Sequence, residues 1–235
     1  MNTKGLIISA IIISMGMTAT GVAIRNGIVT FKDRDRCVVV KGLSEREVKA
    51  NKVTWPLTYK ELGNDPSEMY GVIERKNKQV VAFLKAGGIK ENEISVNSPT
   101  ISDRQANSYG NEVMTYRYVA KSVITVTSTN VDQVRKLISK QAELMRQGIA
   151  LVSEEYGTDQ VTYDYTGLND IKPAMVEEAT KNARATAQKF ADDSECSLGG
   201  IRNAQQGQFS IDSRDANTPY IKKVRVVNTI EYSLK

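Results

Sequence analysis

The segment 47–62 (EVKANKVTWPLTYKEL) places Val53, Trp55, Leu57 and Tyr59 at every second position. That alternation puts four large apolar side chains on one face of a strand, so the strand must face a core. Pro56 sits inside the run and has no N–H for a ladder, which predicts an edge strand or a bulge at that point. Before it, Cys37-Val38-Val39-Val40-Lys41-Gly42 is a β-branched run ending in glycine and reads as a first strand.

Asp65-Pro66-Ser67-Glu68 is a strong helix start, with a cap, a proline for the first turn and a box-closing glutamate. The helix carries Met69, Ile73, Val80 and Leu84 and stops at Gly87-Gly88. Two strands are expected over Glu93–Arg104 and Met114–Thr129, joined by a polar loop. Asn130-Val131-Asp132-Gln133 starts a second helix, with Val131, Val134, Leu137, Ile138 and Met145 inward. A short strand covers Gln160–Thr166. A long helix then begins at Asn169 or Asp170, with Pro173 in its first turn. Its small-residue face is Met175, Ala179, Ala183, Ala187 and Phe190, which permits close approach to a sheet, and Gly199-Gly200 ends the helical region. The last strands are Ile201–Ile211 and Ile221–Leu234. The order ββ-α-ββ-α-β-α-ββ predicts an α+β fold, a mainly antiparallel sheet with helices on one face. No Pro/Ser-rich linker interrupts it, so 37–235 reads as one domain.

Residues 101–107 (ISDRQAN) and 211–217 (IDSRDAN) agree at four of seven positions with an offset of 110. Each follows a helix and a strand and precedes a strand, which suggests an internal α-β-β duplication. The loops themselves are rich in turn-forming Asn, Asp and Ser. They also carry paired arginines to two hairpin tips, where contacts with ligands or subunits tend to lie. Arg104, Asn107, Arg214 and Asn217 are therefore the candidate contact residues.

Ahead of the domain, the uncharged run Gly5–Ile24 follows Lys4 and ends at Arg25. Some twenty residues cover roughly 30 Å, the thickness of a bilayer core. Residues 1–36 are expected to be a signal-anchor or transmembrane helix, about 5–24, with a short linker. A cleaved signal (the small pair Ala19 and Gly21 permits a cut) and a buried helix are the alternatives. Counting basic residues at Arg25, Lys32, Arg34 and Arg36 would retain the domain in the cytoplasm, whereas a signal-like reading exports it.

The chain has no histidine, which removes Ser-His-Asp and Cys-His catalysis, His-ligated metal and a histidine switch. Two cysteines, Cys37 and Cys196, are too few for a four-cysteine zinc site, and neither has a CxxC partner. A disulfide between them, two idle thiols, or a thiol-redox role all stay open. Glu154-Glu155 and Glu177-Glu178 read as solvated helix faces. No phosphate loop or nucleophile elbow appears. The expectation is a protein that is not an enzyme and needs no metal or cofactor. The net charge of +5 is mild and spread along the chain, so nucleic acid is not an expected partner, and no small-molecule substrate is identified. An anionic ligand remains open as a second class.

The stretches "VVVKG", "VVAFLKAGGIKENEISV", "YRYVAKSVITVTSTNVDQVRKLI" and "VTYDYTGLNDIKPAMVEEATKNARATAQKFA", followed by "LGGI", resemble the SIMPL-domain family. That family includes oxidative-stress-defence envelope proteins and a periplasmic immunogenic protein of bacteria. The best anchors are Lys85–Ile89 followed by Ile94, and the helix from Pro173 to Ala191; they are packing and turn positions, not catalytic ones. The sequence departs from the family at Ala50-Asn51-Lys52-Val53, where an Asp-Ala pair is frequent, and in lacking a clear cleavage site. The resemblance implies α+β structure, export, large ring- or channel-like homo-oligomers and no established enzymatic activity. Taken with the apolar run, the expectation is a protein anchored in the cytoplasmic membrane, with its domain on the periplasmic side, as the resemblance implies, and a supporting role in envelope integrity or stress tolerance.

Overall fold

The computed structural model describes residues 3–34, 36–106, 114–152 and 160–235. Its elements are α1 (Thr3–Arg34), β1 (Cys37–Lys49), β2 (Lys52–Gly63), α2 (Pro66–Ala86), β3 (Ile94–Val96), β4 (Thr100–Asp103), β5 (Tyr118–Ser128), α3 (Val131–Ile138), α4 (Ala142–Arg146), β6 (Thr162–Asp164), α5 (Leu168–Asp193), β7 (Leu198–Gln206), β8 (Ser210–Ser213) and β9 (Ile221–Leu234). The class is α+β with antiparallel pairing. The strands form two sheets: β3-β5-β2-β6 with β4 also on β5, and β1-β9-β7 with β8 also on β9. By contacts the chain forms two compact units, each discontinuous in sequence. One comprises Met1–Arg46, Asn169–Ser210 and Val224–Lys235; the other comprises Glu47–Leu168 and Ile211–Lys223.

In the unit holding β2, the alternating face is buried as expected: Val53, Trp55, Leu57 and Tyr59 are at most 2% exposed. The strand is central, not at an edge, and its register with β5 is unbroken from Val53 to Gly63, so there is no bulge at Pro56. The reason lies in the ladder. The carbonyl of Thr58 accepts from Val152 on the β6 side, so Thr54, Pro56 and Thr58 direct their backbone groups away from β5. Among the described residues β6 pairs only Lys52–Thr54, so no described ladder bond is required of Pro56, which lacks a donor.

Helix α2 begins as its sequence dictates. The Asp65 carboxylate accepts from the N–H groups of Ser67 and Glu68, and Met69, Ile73, Val80 and Leu84 are buried against the sheet. It ends with Gly88 at φ 84°, where Ile89 N–H donates to the Leu84 carbonyl and Gly88 N–H to that of Lys85. That is a six-to-one and five-to-two closure with glycine in the left-handed position. The strand expected over Glu93–Arg104 is split into β3 and β4. Ile94 pairs with Val126, but Thr100 pairs with Lys121, a one-residue slip across Asn97-Ser98-Pro99. Pro99 has no N–H to continue a ladder.

The helix expected through Met145 is broken between α3 and α4. Lys140, Gln141, Glu143 and Leu144 donate to carbonyls three residues back, so the chain winds more tightly there and the apolar face shifts. Leu144 is buried in consequence, and Met145 is exposed.

In the unit holding α5, the helix buries Met175, Ala179, Ala183, Ala187 and Ala191; Phe190, expected inward, is 53% exposed. Pro173 falls in the second turn, because the helix starts at Leu168. β1 does not stop at Gly42 but runs through it. A Cβ at Gly42 would lie 1.9 Å from the Ala179 carbonyl oxygen and 2.8 Å from the Ala183 Cβ. Glycine is therefore required where the helix backbone crosses the strand. The helix ends at Asp193, not at Gly199-Gly200, which lie inside β7 beside a register shift with β9. β7 and β8 are likewise the two halves of one expected strand, separated at Gly207, whose N–H still bonds Val227 of β9.

Helix α1 continues past Arg25 to Arg34, so most of the expected linker is helical. Its window Ile11–Ile28 is long and apolar enough to cross a membrane, and none of that window is buried.

Candidate functional site

The two loops of the internal match open with the same backbone bond at the base of the hairpin. The backbone N–H of Arg104 bonds the Arg117 carbonyl across to β5, and that of Arg214 bonds the Ile221 carbonyl across to β9. The side chains differ. Arg214 is exposed but tied down: Nε donates to Asp215 Oδ2 at 3.0 Å, Nη1 to Glu47 Oε2 at 3.2 Å and Nη2 to Thr218 Oγ1 at 2.9 Å. Asp215 also accepts from the N–H groups of Asn217 and Thr218 and from the Thr218 hydroxyl. Those bonds, the Thr218 hydroxyl first and Arg214 second, lower its pKa to about 2. Arg214 is a loop-fixing residue.

In the other loop the guanidinium comes from Arg117, whose Nε and Nη2 donate to Asp103 Oδ2 at 3.0 and 2.7 Å and hold that carboxyl below its ordinary value. Arg104 is exposed and makes no ion pair among the described residues. Asn107 lies outside the described residues. Asn217 is exposed at the turn, with its backbone tied to Asp215.

Asn217 borders a shallow groove of about 500 Å3 that also takes in Arg135, Ser139, Tyr163 and Tyr220. The Arg135 guanidinium lies 3.4 Å from the centroid of the Tyr220 ring, and Tyr163 meets that ring edge-on at 6.2 Å. A cation over an aromatic face is an attractive arrangement that leaves guanidinium N–H groups at its rim. No local pattern points to this cluster, since Arg135 and Tyr220 lie on separate segments. Tyr163 reads in sequence only as a strand former.

A second groove, about 580 Å3, follows the outer side of α2 and reaches the interruption between β3 and β4. Beneath it lies a polar knot: Ser122 Oγ donates to Asn77 Oδ1 at 2.9 Å, and the single hydroxyl hydrogen of Tyr59 is shared between Asn77 Oδ1 at 2.9 Å and the Ile73 carbonyl at 3.0 Å. Burial pushes the Tyr59 phenol up.

Both thiols are free; Cys37 is exposed and Cys196 half-buried. The hydrogen bond from Cys37 to Glu231 raises the Cys37 pKa, which keeps it as the poorly nucleophilic thiol. Of the carboxylates read as solvated, Glu177 pairs with Lys181 one turn on. Glu178 instead crosses to β1, accepting from Ser44 Oγ at 2.9 Å and Arg46 Nη2 at 3.2 Å. Glu154 and Glu155 lie outside the described residues.

The fold thus defines an α+β protein of two antiparallel sheets behind an apolar N-terminal helix. The chain belongs to the SIMPL family, "Protein of unknown function (DUF541)", whose family model matches residues 38–229. No curated protein matches it.

Proposed function

We propose that this chain is a non-enzymatic, membrane-tethered protein of the bacterial cell envelope that self-assembles and supports envelope integrity or stress tolerance. The observation that carries the reading is the helix window Ile11–Ile28, unburied and with Ile12, Met15 and Met17 at 65%, 72% and 73% exposure. Leaving such a surface in water is costly, at roughly 25 cal/mol per Å2 of apolar area, and a bilayer relieves the cost. An extracytoplasmic domain is part of this reading and rests on the export that the family resemblance implies. Self-assembly is supported by β7, exposed along nearly its whole length, with Ile201 at 56%. A sheet edge of that kind is a template for pairing.

The test is the mass and particle size of the protein from its native membrane fraction after an alkaline wash. An intact chain retained with the lipid, in a large detergent-solubilised particle, is expected. A shortened, soluble monomer overturns the reading. Arg104→Glu should change the particle size if the hairpin is a subunit contact, because Arg104 makes no ion pair among the described residues. An unchanged sedimentation coefficient removes Arg104 from the contact surface. Arg214 is a poorer probe, since its reversal also breaks the loop.

A second reading, an exported module for an anionic ligand, is favoured by the Arg135 guanidinium at the rim of the Asn217 groove. Its binding should weaken steeply with salt. A flat salt response removes it.

A further inference from the structure

The groove along α2 has as one wall a strand edge that is unpaired among the described residues. Asn97 N–H donates to Val123 at 3.1 Å, so Asn97 and Ser95 turn their backbone groups toward β5. By the same alternation Ile94 and Val96 turn theirs outward, away from the sheet. Ile94 spends its N–H on the Glu91 carbonyl. The Ile94 carbonyl and both groups of Val96 find no partner among the described residues. The Val96 side chain is 50% exposed and lines the groove, facing Tyr70 and Val81 of α2 over a floor that includes Ile73.

We propose that this groove takes a short extended peptide from a partner protein, which adds as a strand to the free edge of β3. Main-chain bonds to Val96 would supply register, and every second peptide side chain would drop between the strand edge and the helix. The helix stripe from Tyr70 to Lys85 is about 22 Å long, which matches roughly seven extended residues. The groove walls call for apolar residues at alternate peptide positions. Its charged groups are Lys78 and Lys85 against the single carboxylate of Glu74. Lys78 pairs with Glu74, and Lys85 with Glu91, through exposed contacts at 2.8 and 3.0 Å. Such pairs exchange at little cost. A peptide carboxylate can take the place of the exposed Glu91 at Lys85, so the groove accepts an acidic residue at that end.

The test is selection of random seven-residue peptides displayed on phage against the full chain in detergent micelles, followed by titration of the enriched peptides. Enrichment of alternating apolar residues with an acidic residue is expected, together with slowed hydrogen exchange at the Val96 amide. Val96→Pro removes the outward donor at an edge position that tolerates proline. It should weaken binding about tenfold, the worth of one edge bond and its neighbour's displacement. Lys85→Glu, on the exposed face of α2, should leave the fold intact and shift selection away from acidic peptides. Absence of an enriched alternating pattern overturns the proposal. So do enriched peptides that bind the Val96→Pro chain equally well. If no peptide is enriched while Val96→Pro shrinks the particle formed by the full chain, the edge serves a second copy, and the peptide reading is again overturned.

Discussion

Two parts of the molecule repeat one topology with opposite packing. In the first, β2, α2, the split strand β3/β4 and β5 assemble with β5 between the split strand and β2. In the second, β1, α5, the split strand β7/β8 and β9 assemble with β9 between the split strand and β1. Each sets a polar pair between its helix and its central strand: Asn77 with Ser122 in one, Thr180 with Asn228 in the other. Each helix closes with the same six-to-one bond, Ile89 to Leu84 and Cys196 to Ala191. The match of 101–107 to 211–217 is thus the visible remnant of a longer structural correspondence.

The contacts between helix and sheet differ. α2 stands on Met69, Ile73, Val80 and Leu84, against Trp55, Leu57 and Tyr59. α5 lies on a row of alanines and brings its backbone onto Gly42. The first repeat is held chiefly by the apolar area of large side chains, and the second by proximity. The first should suffer from lost volume, and the second from added volume.

Four substitutions or conditions sharpen that contrast. Gly42→Val forces a side chain into the α5 backbone and should cost about 4 kcal/mol, the upper end for one substitution. Urea unfolding monitored by hydrogen exchange should show the α5 amides released first; equal release of α2 and α5 would contradict the proximity argument. Leu57→Ala opens a cavity under α2 and should cost about 3 kcal/mol in the same assay. A loss below 1 kcal/mol would mean that the first repeat also collapses easily.

Glu195 takes the position that Gly88 takes in the first repeat, at φ 53° against 84°. Glu195→Gly removes the penalty of a side chain in the left-handed region and should stabilise by about 1 kcal/mol. A melting temperature that does not rise would show that unfolded-state entropy cancels the gain. The smallest effect is at the loop tips. Asp215 titrates near pH 2 when folded, below the ordinary carboxylate value of 3.8. Its depressed pKa means that the charged form supports the loop above pH 3.8, and that this support is lost as pH falls toward 2. The Asn217 and Thr218 amides should lose exchange protection across that window. In Asp215→Ala they should be unprotected at every pH, and protection that persists would assign the turn to the backbone alone.

Much of this was legible in the chain. Period-two burial in β2, the Asp65 cap, the four buried residues of α2 and the extent of β9 follow from local pattern, because each depends on neighbours within a few residues. The helical breaks were less legible. Nothing local distinguishes Ser139-Lys140-Gln141 from helix, and the chain turns there because Leu144 and Ile149 are both fully buried. Phe190 is more apolar than Ala191, yet only a small residue fits at the four-residue spacing of the alanine row. Of the candidate contact residues, Arg104 and Arg214 stand out in the sequence through the repeat. The division of labour between Arg104, Arg117 and Arg214 was not, since it rests on which carboxylate folds back within reach.

By itself the sequence determined most of the segments that become strands and helices, though not their interruptions, where α2 begins, and that an apolar helix precedes the domain, because backbone propensity and side-chain periodicity are local. The tertiary structure decided which strands share a sheet. It also set Pro56 where the ladder asks nothing of it, brought Arg135 onto Tyr220, and left the Val96 edge open beside α2. Those outcomes depend on contacts between residues far apart in the chain, whose pairing no local pattern specifies.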